Sequence, residues 1–113
     1  MPAYRISRFN IDPKKGLITE YSDANATCAW HKGHNGLSAL WGSEGTWSKK
    51  GKIFFSKTAL RAYLDRFINI DGQLNFSLVR DWEIEEIGVG KKRPEEFYHM
   101  WEHLRNQIWE KQE

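Results

Sequence analysis

Cysteine and proline are scarce in this chain of 113 residues, which holds one Cys and three Pro. A single cysteine excludes an intrachain disulfide framework, so packing and hydrogen bonds have to hold the fold. Long apolar runs are missing too. No stretch approaches the roughly 18 apolar residues of a membrane-spanning helix, and no apolar segment follows Met1-Pro2-Ala3-Tyr4-Arg5. Neither a secretory leader nor a membrane span is expected, and the expected location is the cytoplasm. Internal repeats and low-complexity tracts are absent as well.

Aromatic residues are abundant instead: six Trp, six Phe and four Tyr in a chain that is 40% hydrophobic. A chain of this length buries only about two-thirds of its surface, and large rings raise the apolar area buried per residue. One domain over 1–113 is expected, with an α+β core at 1–90 and a helix at 94–111. Charge is uneven along it. Residues 1–66 hold 11 Lys/Arg against 5 Asp/Glu, and residues 67–113 hold 6 against 10. That asymmetry either marks a basic surface for an anionic ligand on the N-terminal part or lets the two parts attract each other within the fold.

Read along the chain, Tyr4 to Ile11 and Leu17 to Tyr21 are rich in β-formers. Asp12-Pro13-Lys14-Lys15-Gly16 between them makes a turn, which predicts a β-hairpin. Residues 22–46, with Gly33, Gly36, Gly42 and Gly45, show little periodicity and read as a long ordered loop pinned by Trp30, Leu37, Leu40 and Trp41. Thr46-Trp47-Ser48, Lys49-Lys50-Gly51 and Lys52-Ile53-Phe54-Phe55 predict a second tight hairpin. Ser56 is an N-cap hydroxyl for a helix to Asn69 on which Ala59, Leu60, Tyr63, Leu64, Phe67 and Ile68 recur at helical spacing. Trp82 to Ile87 predicts a strand, Lys91-Lys92-Arg93 a basic connector, and Pro94-Glu95-Glu96 the start of a second helix carrying Phe97, Trp101, Leu104 and Ile108. Residues 72–81 fit either a strand or a docked loop.

Several constellations invite chemistry. Cys28, His31 and His34 have zinc-like spacing, and His99 and His103 stand one helical turn apart. The two helical histidines lie opposite the apolar stripe, which favours solvated side chains over a metal centre, and no cofactor is expected. His99-Met100-Trp101-Glu102-His103 spells an inverted zinc-peptidase signature, yet only ten residues follow His103 to supply a further acidic ligand. No phosphate loop and no nucleophile elbow is present, and Cys28 lacks an evident base, so an enzyme is not expected. Glu83 and Glu85 share a strand face that reads as solvated.

The strongest ligand patch is Lys49, Lys50 and Lys52 beside Trp47, with Lys57 and Arg61 on the following helix, suited to phosphates and a stacked base. The competing reading is a solubilising tip whose Trp47 packs on Trp82 or Phe54. On the last helix Tyr98, Arg105 and Trp109 flank the apolar stripe. They are the residue types that anchor protein interfaces, unless they complete the core.

The order Trp47-Ser48-Lys49-Lys50-Gly51-Lys52-Ile53-Phe54, then Ser56 with a helix, then Asp81-Trp82-Glu83-Ile84-Glu85-Glu86-Ile87 resembles a group of small phage-encoded accessory proteins. They share a W-S-x-K-G-K-hydrophobic-aromatic segment, a helix and a W-E-I-x-E strand. The likeness covers about residues 46–88 and departs from the frame at Glu86 and Gly88. It implies a phage accessory protein acting in a bacterial host cytoplasm, and it carries no catalytic residues with it.

The expectation is therefore an α+β fold: an antiparallel sheet of about four strands packed on one central helix, plus a C-terminal amphipathic helix that covers the sheet or projects to a partner. The expected function is non-catalytic binding of a host or anti-phage defence protein, to inhibit or redirect it. Binding of nucleic acid or a nucleotide signal through the basic hairpin is the alternative, and a metal-dependent hydrolase a distant third. Pairing of the last helix between two copies would make a homodimer.

Overall fold

Strand β1 (Tyr4–Asp12) alternates as a half-buried strand should, with Tyr4 and Ile6 buried and Arg5 between them half exposed. The computed structural model describes residues 2–26, 45–69 and 72–103, with the backbone course alone for 30–32, 38–40, 70 and 104–111. At the end of β1, Asp12 Oδ1 accepts the N–H groups of Lys14 and Lys15 at 2.7 and 3.1 Å, and Gly16 takes φ +79°. That turn returns the chain as β2 (Gly16–Ser22), antiparallel to β1 with Arg8 opposite Glu20 and Ile11 opposite Leu17. The predicted first hairpin is present.

The predicted second hairpin is not. Its first half is β5 (Trp47–Ser48), which pairs with the end of β2. Its second half adds elsewhere: Lys52 donates to Ser22 O at 2.8 Å, and Phe54 forms a bridge with Tyr4. Gly51, at φ +67°, lies so close to Tyr21 that an added Cβ would sit 2.4 Å from the tyrosine Cβ, so the segment turns flat against the neighbouring strand. Two partners already in the sheet outcompete the local pairing of 47–48 with 52–55. Within 22–46, read as a loop, β3 (Trp30–Lys32) and β4 (Ser38–Leu40) form a two-stranded ribbon of their own.

Ser56 caps α1 (Lys57–Ile68), its side chain accepting from the Ala59 N–H at 3.4 Å. A small hairpin, β6 (Asn69–Ile70) and β7 (Gln73–Leu74), and a 3₁₀ turn at Phe76–Val79 lead to β8 (Trp82–Glu86). β8 pairs with β1 on the side away from β2, setting Ile6 opposite Ile84. β9 (Gly90–Lys92) then pairs with β8, so Lys91 and Lys92 belong to a fifth strand and not to a connector. Gly88 at φ +87° makes the turn that a connector would not need. The sheet is antiparallel, in the order β5-β2-β1-β8-β9.

Register puts Tyr4, Ile6, Trp82 and Ile84 on one face, and both helices cover it. Phe67 of α1 meets Trp82 edge-on at 5.1 Å, and Phe97 of α2 (Pro94–Lys111) meets Tyr4 at 6.3 Å. The fold is thus α+β in two layers, and α2 covers the sheet. Leu60, Leu64 and Phe67 are buried as expected, but Ile53 is 39% exposed and Phe54 takes the inward place. Replacing Leu64, fully buried, with Ala should cost about 2–5 kcal/mol and lower the thermal midpoint by roughly 10 °C or more. An unchanged midpoint would contradict the packing of α1 on the sheet.

Candidate functional site

The cationic loop is well ordered by its own hydrogen bonds. Asp23 accepts from the hydroxyls of Thr46 and Ser48 at 2.8 and 2.7 Å, and the Ser48 hydroxyl accepts from the Gly51 N–H at 3.0 Å. Lys49, Lys50 and Lys52 stand exposed on this tip. Trp47 is committed elsewhere: it packs edge-to-face on Trp82 at 5.4 Å, and the Arg8 guanidinium lies 4.1 Å from its ring centre. Arg61 is drawn away as well, lying 5.3 Å from the rings of both Tyr98 and Trp101 and 3.9 Å from Asp65. The three lysines form a cluster. Trp47 and Arg61 are occupied in packing, and Lys57 is half-buried on α1.

Tyr98 is core, which corrects its assignment to an exposed flank. It is 2% exposed, its ring meets Phe76 and Phe97 edge-on, and its hydroxyl donates to Asp65 Oδ1 of α1. A tyrosine can be buried this way because the facing helix supplies an acceptor for its one polar atom. The side chains of Arg105 and Trp109 lie outside the described residues, as do those of Cys28, His31 and His34. His99 and His103 are exposed. Among the described residues no cluster of His, Cys, Asp or Glu is arranged to hold a metal ion, and no helix is long and apolar enough to cross a membrane.

The acidic face of β8 is paired at Glu85. Glu85 accepts from the Arg5 Nε at 2.7 Å, and Arg5 also stacks 3.6 Å from the Tyr21 ring centre. The surplus of cations in the first part of the chain is thus partly spent on the acids of the second. What sequence reading missed lies further along the same strands. β1 runs to Asp12, but β8 faces it only as far as Arg8, and β5 faces β2 only at Tyr21 and Ser22. Residues 9–20 therefore project beyond both neighbours as a two-stranded arm.

One face of the arm carries Phe9, Ile11 and Leu17, which are 54%, 76% and 69% exposed. Lys91 stands 5.5 Å from the Phe9 ring. At the base of the arm, where β8 begins, opens a cleft of about 550 Å³. Arg8, Phe9 and Asn10 of β1 line it together with Leu78, Arg80, Asp81, Trp82, Glu83 and Arg93. The available signal was the difference in length between a nine-residue β1 and a five-residue β8, which strand prediction alone does not translate into an overhang. No protein-family model, no curated protein and no solved structure matches the chain.

Two buried phenols set a pH dependence. Burial, then the Glu86 charge, raises the Tyr4 pKa above the ordinary 10.0, and burial, then the hydrogen bond to Asp65, raises that of Tyr98. Below pH 10 folded and unfolded chains hold the same protons at these sites. Above it the unfolded chain releases them first, so stability should fall as pH rises from about 10 towards the native values. Urea midpoints at about pH 8 and pH 11 test this, and Tyr98→Phe should flatten the decline. The two hydroxyls should also differ at neutral pH. Tyr4 Oη is buried with no partner among the described residues, so Tyr4→Phe should stabilise by about 1 kcal/mol, whereas Tyr98→Phe should destabilise by about 1–3 kcal/mol. Equal effects of the two substitutions in thermal melts would refute this assignment.

Proposed function

We propose that this chain is a non-catalytic binding protein that engages a partner protein through the arm at residues 9–20. The resemblance to small phage accessory proteins supports a host or anti-phage defence component as that partner, which binding would inhibit or redirect. The observation that carries the reading is the apolar face of Phe9, Ile11 and Leu17, held out on a ribbon that neither helix covers. A two-stranded ribbon is marginal alone in water, and apolar side chains gathered on one exposed face mark interaction sites. The arm gains most when a second surface covers it.

The alternative, an anionic ligand at the basic loop, rests on Lys49, Lys50 and Lys52 exposed on a tip ordered by Asp23. One experiment separates the two. A tagged chain is used to isolate a partner from a bacterial host, and the partner is then purified and titrated against three proteins: the parent, Ile11→Lys with Leu17→Lys, and Lys49→Glu with Lys50→Glu and Lys52→Glu. The arm variant should bind at least about thirtyfold more weakly while melting within a few degrees of the parent. The loop variant should bind like the parent. Undiminished binding by the arm variant would overturn the reading, and loss confined to the loop variant would favour the anionic ligand.

A further inference from the structure

The face of the sheet turned away from both helices is fixed row by row by the register. Tyr4 and Ile6 point to the helices, so Arg5, Ser7, Phe9 and Ile11 point to the other side. Ser7 stands opposite Tyr21 and Glu83, Arg5 opposite Glu85, and Glu85 opposite Lys91. Those residues form a polar middle. Beyond it, at one end, lie Phe9, Ile11 and Leu17. At the other end Phe54 pairs with Tyr4 and points inward, which turns its neighbours Ile53 and Phe55 outward. Ile87, two residues past Glu85 on the same face, donates its N–H to Ala3 O at 2.8 Å. Ile53, Phe55 and Ile87 are 39%, 63% and 41% exposed. The open face is thus apolar at both ends.

We infer that this face pairs with the same face of a second copy of the chain, about a two-fold axis that runs between the two sheets and crosses the strands between Arg5 and Ser7. Such an axis lays each strand over its own counterpart running the other way. The row of Ser7 then meets the row of Arg5. Phe9 meets Ala3, Phe55 and Ile87 of the second copy, with Ile11 and Leu17 just beyond, so each apolar end covers the opposite end of its mate.

The polar middle matches as well. Arg5 and Glu85 already neutralise each other, so covering them strands no charge. That leaves Glu83 and Lys91, neither of which has an ion-pair partner among the described residues. Lys91 stands in the Arg5 row and Glu83 in the Ser7 row, one strand apart, and these are the two rows that the axis superposes. Two sheets pack about 10 Å apart, a gap that a lysine and a glutamate span together. Each Lys91 therefore reaches Glu83 of the second copy. With two cations and two anions, this part of the face has no net charge to draw a nucleic acid or an anionic membrane. From Ala3 to Ile11 the face runs about 27 Å, and four strand widths give about 19 Å, an outline of about 500 Å². Side-chain relief brings the accessible area up to the roughly 600 Å² per partner of a small stable interface. The second copy covers the same arm that the partner protein engages, so self-pairing and partner binding exclude each other.

Sedimentation equilibrium of the full chain from about 1 to 100 μM tests the pairing. The parent should become a dimer within that range. Glu83→Lys and Lys91→Glu should each weaken self-association at least about tenfold. Mixed together, those two variants should form a mixed dimer, because every contact across the axis then joins a lysine to a glutamate. Glu95→Lys, the same change at an exposed position of α2, should leave the dimer intact. Phe55→Lys with Ile87→Lys should give a monomer that melts within a few degrees of the parent and binds the purified partner at least as tightly. A parent monomeric at about 100 μM, a dimer insensitive to Phe55→Lys with Ile87→Lys, or a mixture of the two charge variants that stays monomeric would overturn the inference. So would a partner that is lost by Ile11→Lys with Leu17→Lys yet binds the parent without dissociating its dimer. The two readings fail separately. A monomeric parent whose partner is lost with the arm variant leaves arm binding standing and removes the pairing, whereas a dimeric parent whose partner survives the arm variant removes arm binding and leaves the pairing.

Discussion

Trp82 stands between Trp47 and Phe67, at 5.4 and 5.1 Å, and the rest of the structure depends on that stack of rings. The series continues from Phe67 to Tyr63 at 5.2 Å and from Tyr63 to Phe54 at 6.0 Å. Its members come from β5, β8, α1 and the segment that bridges to Tyr4, so it fastens four distant parts of the chain to one side of the sheet. Edge-to-face rings bury large areas and also prefer definite orientations. A domain of this size, with no disulfide to restrict the unfolded chain, gains both stability and a defined arrangement from them.

Concentrating the aromatic mass on one face leaves the other face thin. Near its centre the open face is covered by its own long side chains: Arg5 lies over Tyr21 and pairs with Glu85 across 80 positions of sequence. The uneven charge of the chain is thus in part a device for joining β1 to β8. Further along, β8 and β5 end before β1 and β2 do, and the same face becomes aliphatic and exposed. The arm and its cleft exist because the strands of the sheet differ in length. An exposed strand edge is a hazard for unwanted pairing, and here Pro13 with Lys14 and Lys15 blunts only the tip.

What could be read locally was read from local chemistry. The first hairpin followed from Asp12-Pro13-Lys14-Lys15-Gly16, and α1 from Ser56 and the spacing of Leu60, Tyr63, Leu64 and Phe67, because each signal lies within a few residues of the structure it directs. The basic loop shows the limit of that reasoning. Residues 46–55 look like a hairpin when taken alone, yet the backbone groups of Trp47-Ser48 and Phe54 find β2 and β1, strands that are distant in sequence. Tyr98 shows it again. Its place on the flank of a stripe says nothing about Asp65, and Asp65 is what allows the phenol to be buried.

The sequence by itself determined the class of fold, the two helices, the first hairpin and the inward stripe of α1, since helix periodicity, capping and turn chemistry act over three to five residues. Only the tertiary structure decided which strands neighbour one another, where each ends, that Lys91 and Lys92 close the sheet, that Trp47 and Arg61 are consumed in packing, and that the arm stands uncovered. Those outcomes depend on competition among partners far apart in the chain, and on the lengths of paired strands relative to one another, neither of which is recorded in any short stretch of residues.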